Sequence, residues 1–304
     1  MRRRFYTILT IIILIILVDQ SIGFYMTKLY ERNFCQHSGG DINWYLKKGK
    51  SDVVFIGSSR VNTMIDNQLI SKGSVNLSKP GKHLYYNLAI FHLLKQYHKL
   101  PQSKIILNIE LEDFLIENEM RLVDDVYYLK YYYHKNSYIQ NKINKNSIYE
   151  PIKFLSKSYL FNGENFKLFT NQFQNICDEE INGYYPLNST ISNSKYAKES
   201  SKWLLNSNEK INYMAFREIV YIQQICKLKK IKLYILLGPR LNNISNENQL
   251  LKSVIHFCKK NEIELLNFSQ SDKFKQYSLW ADRIHLNKKG SEIYTEMIRQ
   301  RINN

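Results

Sequence analysis

Two pairs of residues, far apart in the sequence, carry groups that could together perform acyl transfer. Ser58 and Ser59 follow a buried apolar run and Gly57 in the stretch DVVFIGSSRVNTMID. Asp282 and His285 lie close together near the C-terminus, in the stretch WADRIHLNKKG. A serine becomes a nucleophile when a histidine accepts its proton and a third group orients that histidine. These residue types therefore predict nucleophilic catalysis by a serine, provided that the fold brings the two stretches together.

The elements around these residues predict an alternation of strands and helices. Short apolar runs end at turn residues, as the strands of a parallel sheet do, at 52–57, 74–81, 104–114, 231–239 and 263–268. Helical spacing of apolar residues covers 84–97, 211–230, 248–261 and 289–301. We therefore expect a three-layer α/β/α fold with a doubly wound parallel sheet. In such sheets the loops at the carboxyl ends of the strands carry the functional residues, so both candidate loops are expected at one sheet edge.

The N-terminus predicts a membrane anchor. Arg2–Arg4 precede an uncharged apolar run, Phe5–Val18, and continuing past Asp19 and Gln20 to Met26 reaches the roughly 20 residues that a span needs. A cleaved secretory signal is the alternative, but its small-residue cleavage pattern is missing. By the positive-inside rule the arginines stay in the cytoplasm, and the rest of the chain is exported to the periplasm or the exterior.

Composition divides the chain into further segments after the anchor (1–26). Residues 27–50 are polar and mixed, and we expect a juxtamembrane stalk there. Residues 51–119 and 201–304 would be the two halves of the α/β domain. Residues 120–200 are rich in Tyr, Asn, Lys and Ser and are expected to form an insertion, or cap. Its aromatic side chains either pack together or stack on sugar rings.

The net charge of +16 is spread along the chain without an arginine-rich stripe. This pattern favours a surface that faces anionic lipids or polymers, and no nucleic-acid partner is expected. Cys35, Cys177, Cys226 and Cys258 are widely spaced, without a C-x-x-C pair, so neither a metal nor another cofactor is predicted. One or two disulfides are an open alternative in an exported chain. Cys226 and Cys258 fall in helical apolar patterns and are expected to be buried.

At its two candidate motifs the sequence resembles the SGNH (GDSL-type) hydrolase superfamily. The stretches FIGSSR, after a strand, and DRIHLN, before the last helix, carry this resemblance over residues 51–120 and 200–304. The overall shape is similar to the membrane-anchored exported members of the DltD, AlgX and PatB class. The resemblance implies a flavodoxin-like sheet and a covalent acyl-enzyme. It assigns Ser59 as the nucleophile, His285 as the base and Asp282 as the partner of that base.

The resemblance also assigns an oxyanion hole. The backbone N–H groups of Ser59 and of Gly81, in VNLSKPGK, would be two donors. The family's Gly-x-Asn-Asp block matches ELED, which places Glu112 where the Asn donor would stand and Asp113 after it. An ionised carboxylate cannot donate a hydrogen bond. Either Glu112 points away, another donor replaces it, or the site is not a standard esterase.

Other interpretations of these residues remain open. The two serines could cap the helix that follows them, His285 could be a surface histidine, and Asp282 and Gly81 could serve only their turns. The residues that could line the site adjoin the nucleophile or the ELED block: Ser58, Arg60, Asn62, Glu112 and Asp113. Arg60 and Asn62 either bind substrate or form a solvated helix face.

The leading interpretation is an exported, membrane-anchored serine esterase or O-acyltransferase. Its substrates would be acyl esters, chiefly acetyl, of a cell-envelope or exported polysaccharide. The expected partners are the membrane, the polysaccharide acceptor and a membrane-bound acyltransferase. Two alternatives stay open: a catalytically impaired polysaccharide-binding or assembly partner of such an acyltransferase, and a lipase or phospholipase.

Overall fold

The computed structural model describes residues 2–32, 34, 39–163, 170, 183–191, 210–241 and 248–303. By their contacts the residues form two compact units. The first unit comprises Met1–Gly49 and Val126–Glu180, and the second comprises Lys50–Asp125 and Ile181–Asn304. The expected boundaries between anchor, stalk, domain halves and cap stay predictions.

The helices of the described residues are, in chain order, α1 (Arg2–Arg32), α2 (Gly40–Lys48), α3 (Ser59–Met64), α4 (Asn67–Ile70), α5 (Leu84–Gln96), α6 (Glu119–Val126), α7 (Ser137–Asn144), α8 (Glu150–Lys153), α9 (Tyr213–Leu228), α10 (Gln249–Lys260) and α11 (Lys288–Asn303). The strands are β1 (Val53–Ile56), β2 (Ser74–Asn76), β3 (Lys104–Asn108), β4 (Lys232–Leu237) and β5 (Glu264–Asn267). Short 3-10 segments cover Leu111–Phe114, Ile116–Asn118, Tyr127–Tyr132, Ser158–Phe161, Asp272–Phe274 and Tyr277–Leu279.

The second unit is built on one five-stranded sheet with the order β2-β1-β3-β4-β5. Every pairing is parallel, with Val54 opposite both Val75 and Ile105, and Leu107 opposite Ile235. The chain runs outward from β1 to β2, then returns past β1 to β3 and continues to β5. This reversal beside β1 confirms the expected doubly wound α/β sheet, whose carboxyl-end crevice is the usual ligand site.

Helices cover both faces of the sheet. Side chains alternate along a strand, so Phe55 lies on one face and Val54 on the other, and both are fully buried. On the Phe55 face, Met64 of α3 and Ile298 of α11 complete one apolar cluster, because α11 packs against α3 and α4. On the other face, α9 packs against α5 and β4, and α10 packs against β5. These are the three layers expected from the sequence.

The predicted helices agree with the structure within a few residues, whereas two strands are shorter than expected. β3 ends at Asn108 instead of Phe114, because a 3-10 turn begins at Leu111. This turn is capped reciprocally, with the Asp113 carboxylate accepting the N–H of Glu110 at 3.1 Å. β2 ends at Asn76, where the chain turns away from the sheet.

The first unit contains α1, which is 31 residues long and apolar enough to cross a membrane, with a mean hydropathy of 2.2 over its most apolar window. Described parts of the expected stalk are helical. α1 continues to Arg32, and α2 buries Ile42 and Tyr45. Residues 27–32 and 40–48 are thus helical, and their role as a juxtamembrane stalk stays a prediction.

Tyrosines of the expected cap pack on other aromatic rings in the first unit. Tyr131 stacks on Tyr30 at 4.2 Å and on Phe161 at 5.2 Å between ring centroids, and Tyr132 is buried beside them. For these rings the structure favours aromatic packing over sugar stacking. In the second unit Cys226 and Cys258 are buried and free, as predicted. Cys35 and Cys177 lie outside the described residues.

Candidate active site

The turn after β1 presents Ser59 at the carboxyl edge of the sheet. β1 ends at Ile56 and α3 begins at Ser59, so Gly57 must fit between them. A Cβ at Gly57 would lie 2.6 Å from Cγ2 of Val61 and 2.7 Å from Cβ of Asn108. Glycine is therefore required for this close approach of the turn to α3 and β3.

Ser58 and Ser59 have different partners. The Ser58 hydroxyl accepts the N–H of Arg60 at 3.3 Å, as a helix N-cap, and donates to Oδ1 of Asn108 at 3.2 Å. The Ser59 hydroxyl lies 2.8 Å from Nε2 of His285. The capping interpretation thus describes Ser58, and it leaves the Ser59 hydroxyl for the histidine.

A closed turn orients His285. Oδ1 of Asp282 accepts the N–H groups of Ile284 and His285, both at 2.8 Å, while Oδ2 lies 2.7 Å from Nδ1 of His285. Burial opposes the charged carboxylate, but the hydrogen bonds from His285 and Ile284 lower the pKa of Asp282 below its ordinary value. The carboxylate therefore stays ionised at neutral pH and holds an Nδ1–H tautomer, which leaves Nε2 free to accept a proton.

Contacts between α11 and α3–α4 bring the two loops together. The Ser291 hydroxyl donates to the Thr63 carbonyl at 3.2 Å, and the Thr295 hydroxyl accepts the N–H of Asp66 at 3.0 Å. The His285 side chain, just before α11, is only 14% exposed. It is therefore not a solvated surface histidine, and the histidine loop is fixed over the serine turn.

Two backbone donors lie in neighbouring loops. The Lys79 N–H donates to the Gly57 carbonyl at 3.0 Å, which ties the loop after β2 to the serine turn. Gly81 follows in that loop with a φ of +69°, in the left-handed region that favours glycine. Among the described residues, the N–H groups of Ser59 and Gly81 have no hydrogen-bond acceptor. Both are available donors, and their role in an oxyanion hole stays a prediction.

Glu112 is held by an arginine. Nη1 and Nη2 of Arg240 donate to its two carboxylate oxygens at 2.9 and 2.7 Å, and Nη2 also donates to Glu110 at 3.2 Å. Although burial favours the neutral acid, these bonds and the charge of Arg240 lower the pKa of Glu112 to about 2. The carboxylate is thus ionised but neutralised by the guanidinium, which reduces the repulsion expected toward an oxyanion.

Arg60 and Asn62 are 9% and 6% exposed, so the alternative of a solvated helix face is wrong for both. Arg60 donates to the Pro239 carbonyl at 3.1 Å, and its Nε lies 3.5 Å from the Glu110 carboxylate. The Asn62 amide donates to the Gly183 carbonyl at 2.9 Å. Both side chains are therefore occupied by partners outside α3, because α3 packs inward instead of facing water.

Asp113 is buried behind the ELED turn. One of its oxygens accepts the N–H of Glu110, and the other has no hydrogen-bond partner among the residues that the structure describes. Burial raises the pKa of Asp113 to about 7, opposed by the nearby charge of His83. Asp113 is therefore protonated over part of the neutral range, and it contacts no member of the serine–histidine–aspartate chain.

Three residues of this sheet edge were missed in the sequence: Asn108, Glu110 and Arg240. Asn108 ends β3 and bridges two strands, because its amide donates to the Leu236 carbonyl at 3.1 Å while Oδ1 receives Ser58. Their position in the sequence could have identified them, since each follows or ends a buried strand at the carboxyl edge of the parallel sheet.

Searches with the sequence match no protein-family model and no curated protein. Among solved structures, the chain is similar to a “putative acylhydrolase” from Bacteroides fragilis NCTC 9343, with 14% identity and a TM-score of 0.40 over 86% of this chain and 93% of that one. It is also similar to a GDSL-like lipase from Bacteroides thetaiotaomicron VPI-5482, with 14% identity and a TM-score of 0.36 over 83% and 87%.

Ser59 follows the first strand of a doubly wound parallel sheet, and Asp282 and His285 precede its last helix. This is the order along the chain that the resemblance to the SGNH (GDSL-type) hydrolase superfamily implied.

Proposed function

We propose that the chain is a serine ester hydrolase or O-acyltransferase of the SGNH type. The observation that carries the proposal is the continuous hydrogen-bonded chain from Ser59 Oγ through His285 to Asp282, at 2.8 and 2.7 Å. A nucleophile, a base and a group that orients the base are the minimum for covalent acyl transfer.

In the proposed acylation step, Oγ of Ser59 attacks the ester carbonyl while Nε2 of His285 takes its proton. Asp282 stabilises the imidazolium that forms. The N–H groups of Ser59 and Gly81 would donate to the oxyanion of the tetrahedral intermediate. His285 then returns the proton to the leaving alcohol as the bond to the acyl carbon breaks, which leaves the acyl group on Ser59.

In the second step an acceptor hydroxyl gives its proton to Nε2 of His285 and attacks the acyl-enzyme. Water as acceptor yields hydrolysis, and a sugar hydroxyl yields transfer. Ser59 recovers its proton from His285, so the enzyme returns to its starting state. The residues of this chain supply the same chemistry for either acceptor.

The proposed setting is an exported, membrane-anchored enzyme that acts on acetyl esters of a cell-envelope or exported polysaccharide. Its support is the apolar run of α1, which follows three arginines and would leave them cytoplasmic. The net charge of +16 suits an anionic polymer or lipid surface. The polar composition of residues 120–200 is unsuited to a tunnel for long acyl chains.

A serine-reactive fluorophosphonate probe tests the catalytic proposal. The full chain should be labelled, Ser59→Ala should abolish labelling, and Ser58→Ala should retain it. Ser58→Ala is the matched control because it removes a neighbouring hydroxyl that caps α3 at a cost of about 1 kcal/mol. A folded parent chain that takes up no probe would reject the enzyme in favour of the binding or assembly partner. Turnover of long-chain but not acetyl esters would favour the lipase.

A further inference from the structure

The first half of α1 protrudes, and its protein contacts begin at Asp19. Side chains over Phe5–Val18 are exposed. The Asp19 carboxylate then accepts hydrogen bonds from the hydroxyls of Ser156 and Ser158 and from the N–H groups of Lys157 and Ser158. A charged residue inside a long apolar helix is thus fully partnered by one turn of the same unit.

That turn is held tightly against α1. A Cβ at Gly23 would lie 2.2 Å from Cβ of Lys157, so only glycine permits this approach. The Gln20 amide also donates to the Leu155 carbonyl at 3.3 Å. Residues 155–158 are therefore fixed at the level of Asp19–Gly23.

The length of the uncharged run places this level within reach of lipid. Phe5–Val18 comprises 14 residues, or about 21 Å of helix at about 1.5 Å per residue. The hydrocarbon core of a bilayer is about 30 Å thick. A spanning α1 must therefore continue beyond Val18 toward Met26. The turn that is fixed to Asp19–Gly23 then lies at the outer boundary of the hydrocarbon core, next to the interfacial region.

Beside this turn the unit exposes large apolar side chains, which we call the α8 patch: Ile148, Tyr149, Ile152 and Leu155. Their exposures are 81%, 61%, 63% and 74%. Exposed lysines at 145, 153 and 157 adjoin them in the sequence, and Lys153 pairs with Glu150 at 2.7 Å. Clustered aliphatic side chains with an aromatic residue and lysines are the composition of segments that lie in the interfacial region of a bilayer.

We infer that the α8 patch inserts into the interface of the same bilayer that α1 spans, as a second lipid-binding surface of the first unit. The inference rests on the membrane anchorage within the proposed function. Its occupant is a phospholipid surface, because the patch adjoins the end of the apolar run and cannot leave that level while Asp19 and Gly23 hold the turn. The lysines suit anionic headgroups.

Tryptophan quenching in vesicles tests the inference. The full chain with Ile152→Trp would be reconstituted into equal parts of phosphatidylcholine and phosphatidylglycerol, with or without brominated acyl chains. Leu228→Trp is the matched control, because Leu228 is equally apolar and 79% exposed, at the end of α9 in the second unit. Each substitution adds some quenching to that of the parent chain. This added quenching should be several-fold greater for Ile152→Trp than for Leu228→Trp.

Flotation of the same samples distinguishes failure of the α8 patch to enter the membrane from failure of α1 to anchor the chain. If the chain floats with the vesicles but Ile152→Trp is quenched no more than Leu228→Trp, the α8 patch is not in the membrane, and the anchor stands. If the chain does not float, the anchorage in the proposed function fails, and this inference fails with it. Both substitutions are at exposed positions, so folding is not expected to change.

Discussion

Arg240 donates hydrogen bonds to both carboxylate oxygens of Glu112, at 2.9 and 2.7 Å, although the two residues are 128 positions apart in the sequence. Both side chains are mostly buried, with 18% and 21% exposed, and Glu110 shares the same guanidinium. A charge network of this kind adjoins the candidate nucleophile turn, because Arg60 contacts Glu110 from α3.

Arg240→Met should destabilise the fold by about 2–4 kcal/mol, since it leaves two mostly buried carboxylates without their shared cation. Urea denaturation at neutral pH measures the loss. Lys227→Met is the matched control, because Lys227 and Glu262 form an exposed pair at 2.6 Å and should contribute little. Equal, small effects of both substitutions would mean that the buried network adds no stability.

The same pair predicts an acid dependence. The lowered pKa of Glu112, about 2 in the folded state against 4.5 ordinarily, gives stability that is present above pH 4.5. This stability is lost as the pH falls toward 2, because the unfolded chain binds the proton first. The loss between these pH values should be smaller in Arg240→Met than in the parent chain. Parallel stability curves for the two proteins would contradict the assignment.

Asp113→Asn should change how the stability of the fold responds to rising pH. Burial raises the pKa of Asp113 from 3.8 to about 7, so the folded state keeps a proton that the unfolded chain has released. Stability from this group is therefore lost as the pH rises through that interval. The Tm of Asp113→Asn, relative to the parent, should increase as the pH rises from about 4 to about 7 and should level off above that range. A constant difference would show that Asp113 is ionised throughout.

Asp282→Asn should lower kcat for p-nitrophenyl acetate by about 10²–10⁴, because an amide cannot stabilise the imidazolium or hold the same tautomer of His285. Asp272→Asn provides the control, since Asp272 is an exposed carboxylate of the same unit that pairs with Lys275. Comparable rates for the parent and Asp282→Asn would remove Asp282 from the proposed catalytic chain.

Gly57→Ala should destabilise the second unit and slow the reaction, because the added Cβ would meet Val61 and Asn108 at 2.6 and 2.7 Å. Gly238→Ala at the neighbouring strand end is the matched control. There the nearest atom would be the Tyr294 hydroxyl at 3.6 Å, an ordinary contact. Thermal unfolding and fluorophosphonate labelling report the two effects, and equal tolerance of both alanines would refute the close packing of the serine turn.

Local patterns in the sequence were enough to predict the alternating strands and helices, the apolar N-terminal helix and the two stretches that hold the candidate serine, histidine and aspartate. The choice of Ser59 over Ser58 came from the family resemblance. The periodicity of apolar residues follows directly from helix and strand geometry, so it can be recognised without knowledge of distant contacts. The pairing of Asp282 with His285 could also be predicted from the sequence, because both residues lie in one turn.

The tertiary structure alone decided which serine caps α3, what neutralises Glu112 and how α1 accommodates Asp19. The partners of these residues are distant in sequence, as with Glu112 and Arg240 or Asp19 and Ser156. The short strand β3 also depended on the Glu110–Asp113 cap, which competes with the apolar pattern that extends past Asn108. The hydrogen-bond and ion-pair partners of buried side chains depend on which groups the packed fold brings close together. A local sequence pattern holds no information about those partners.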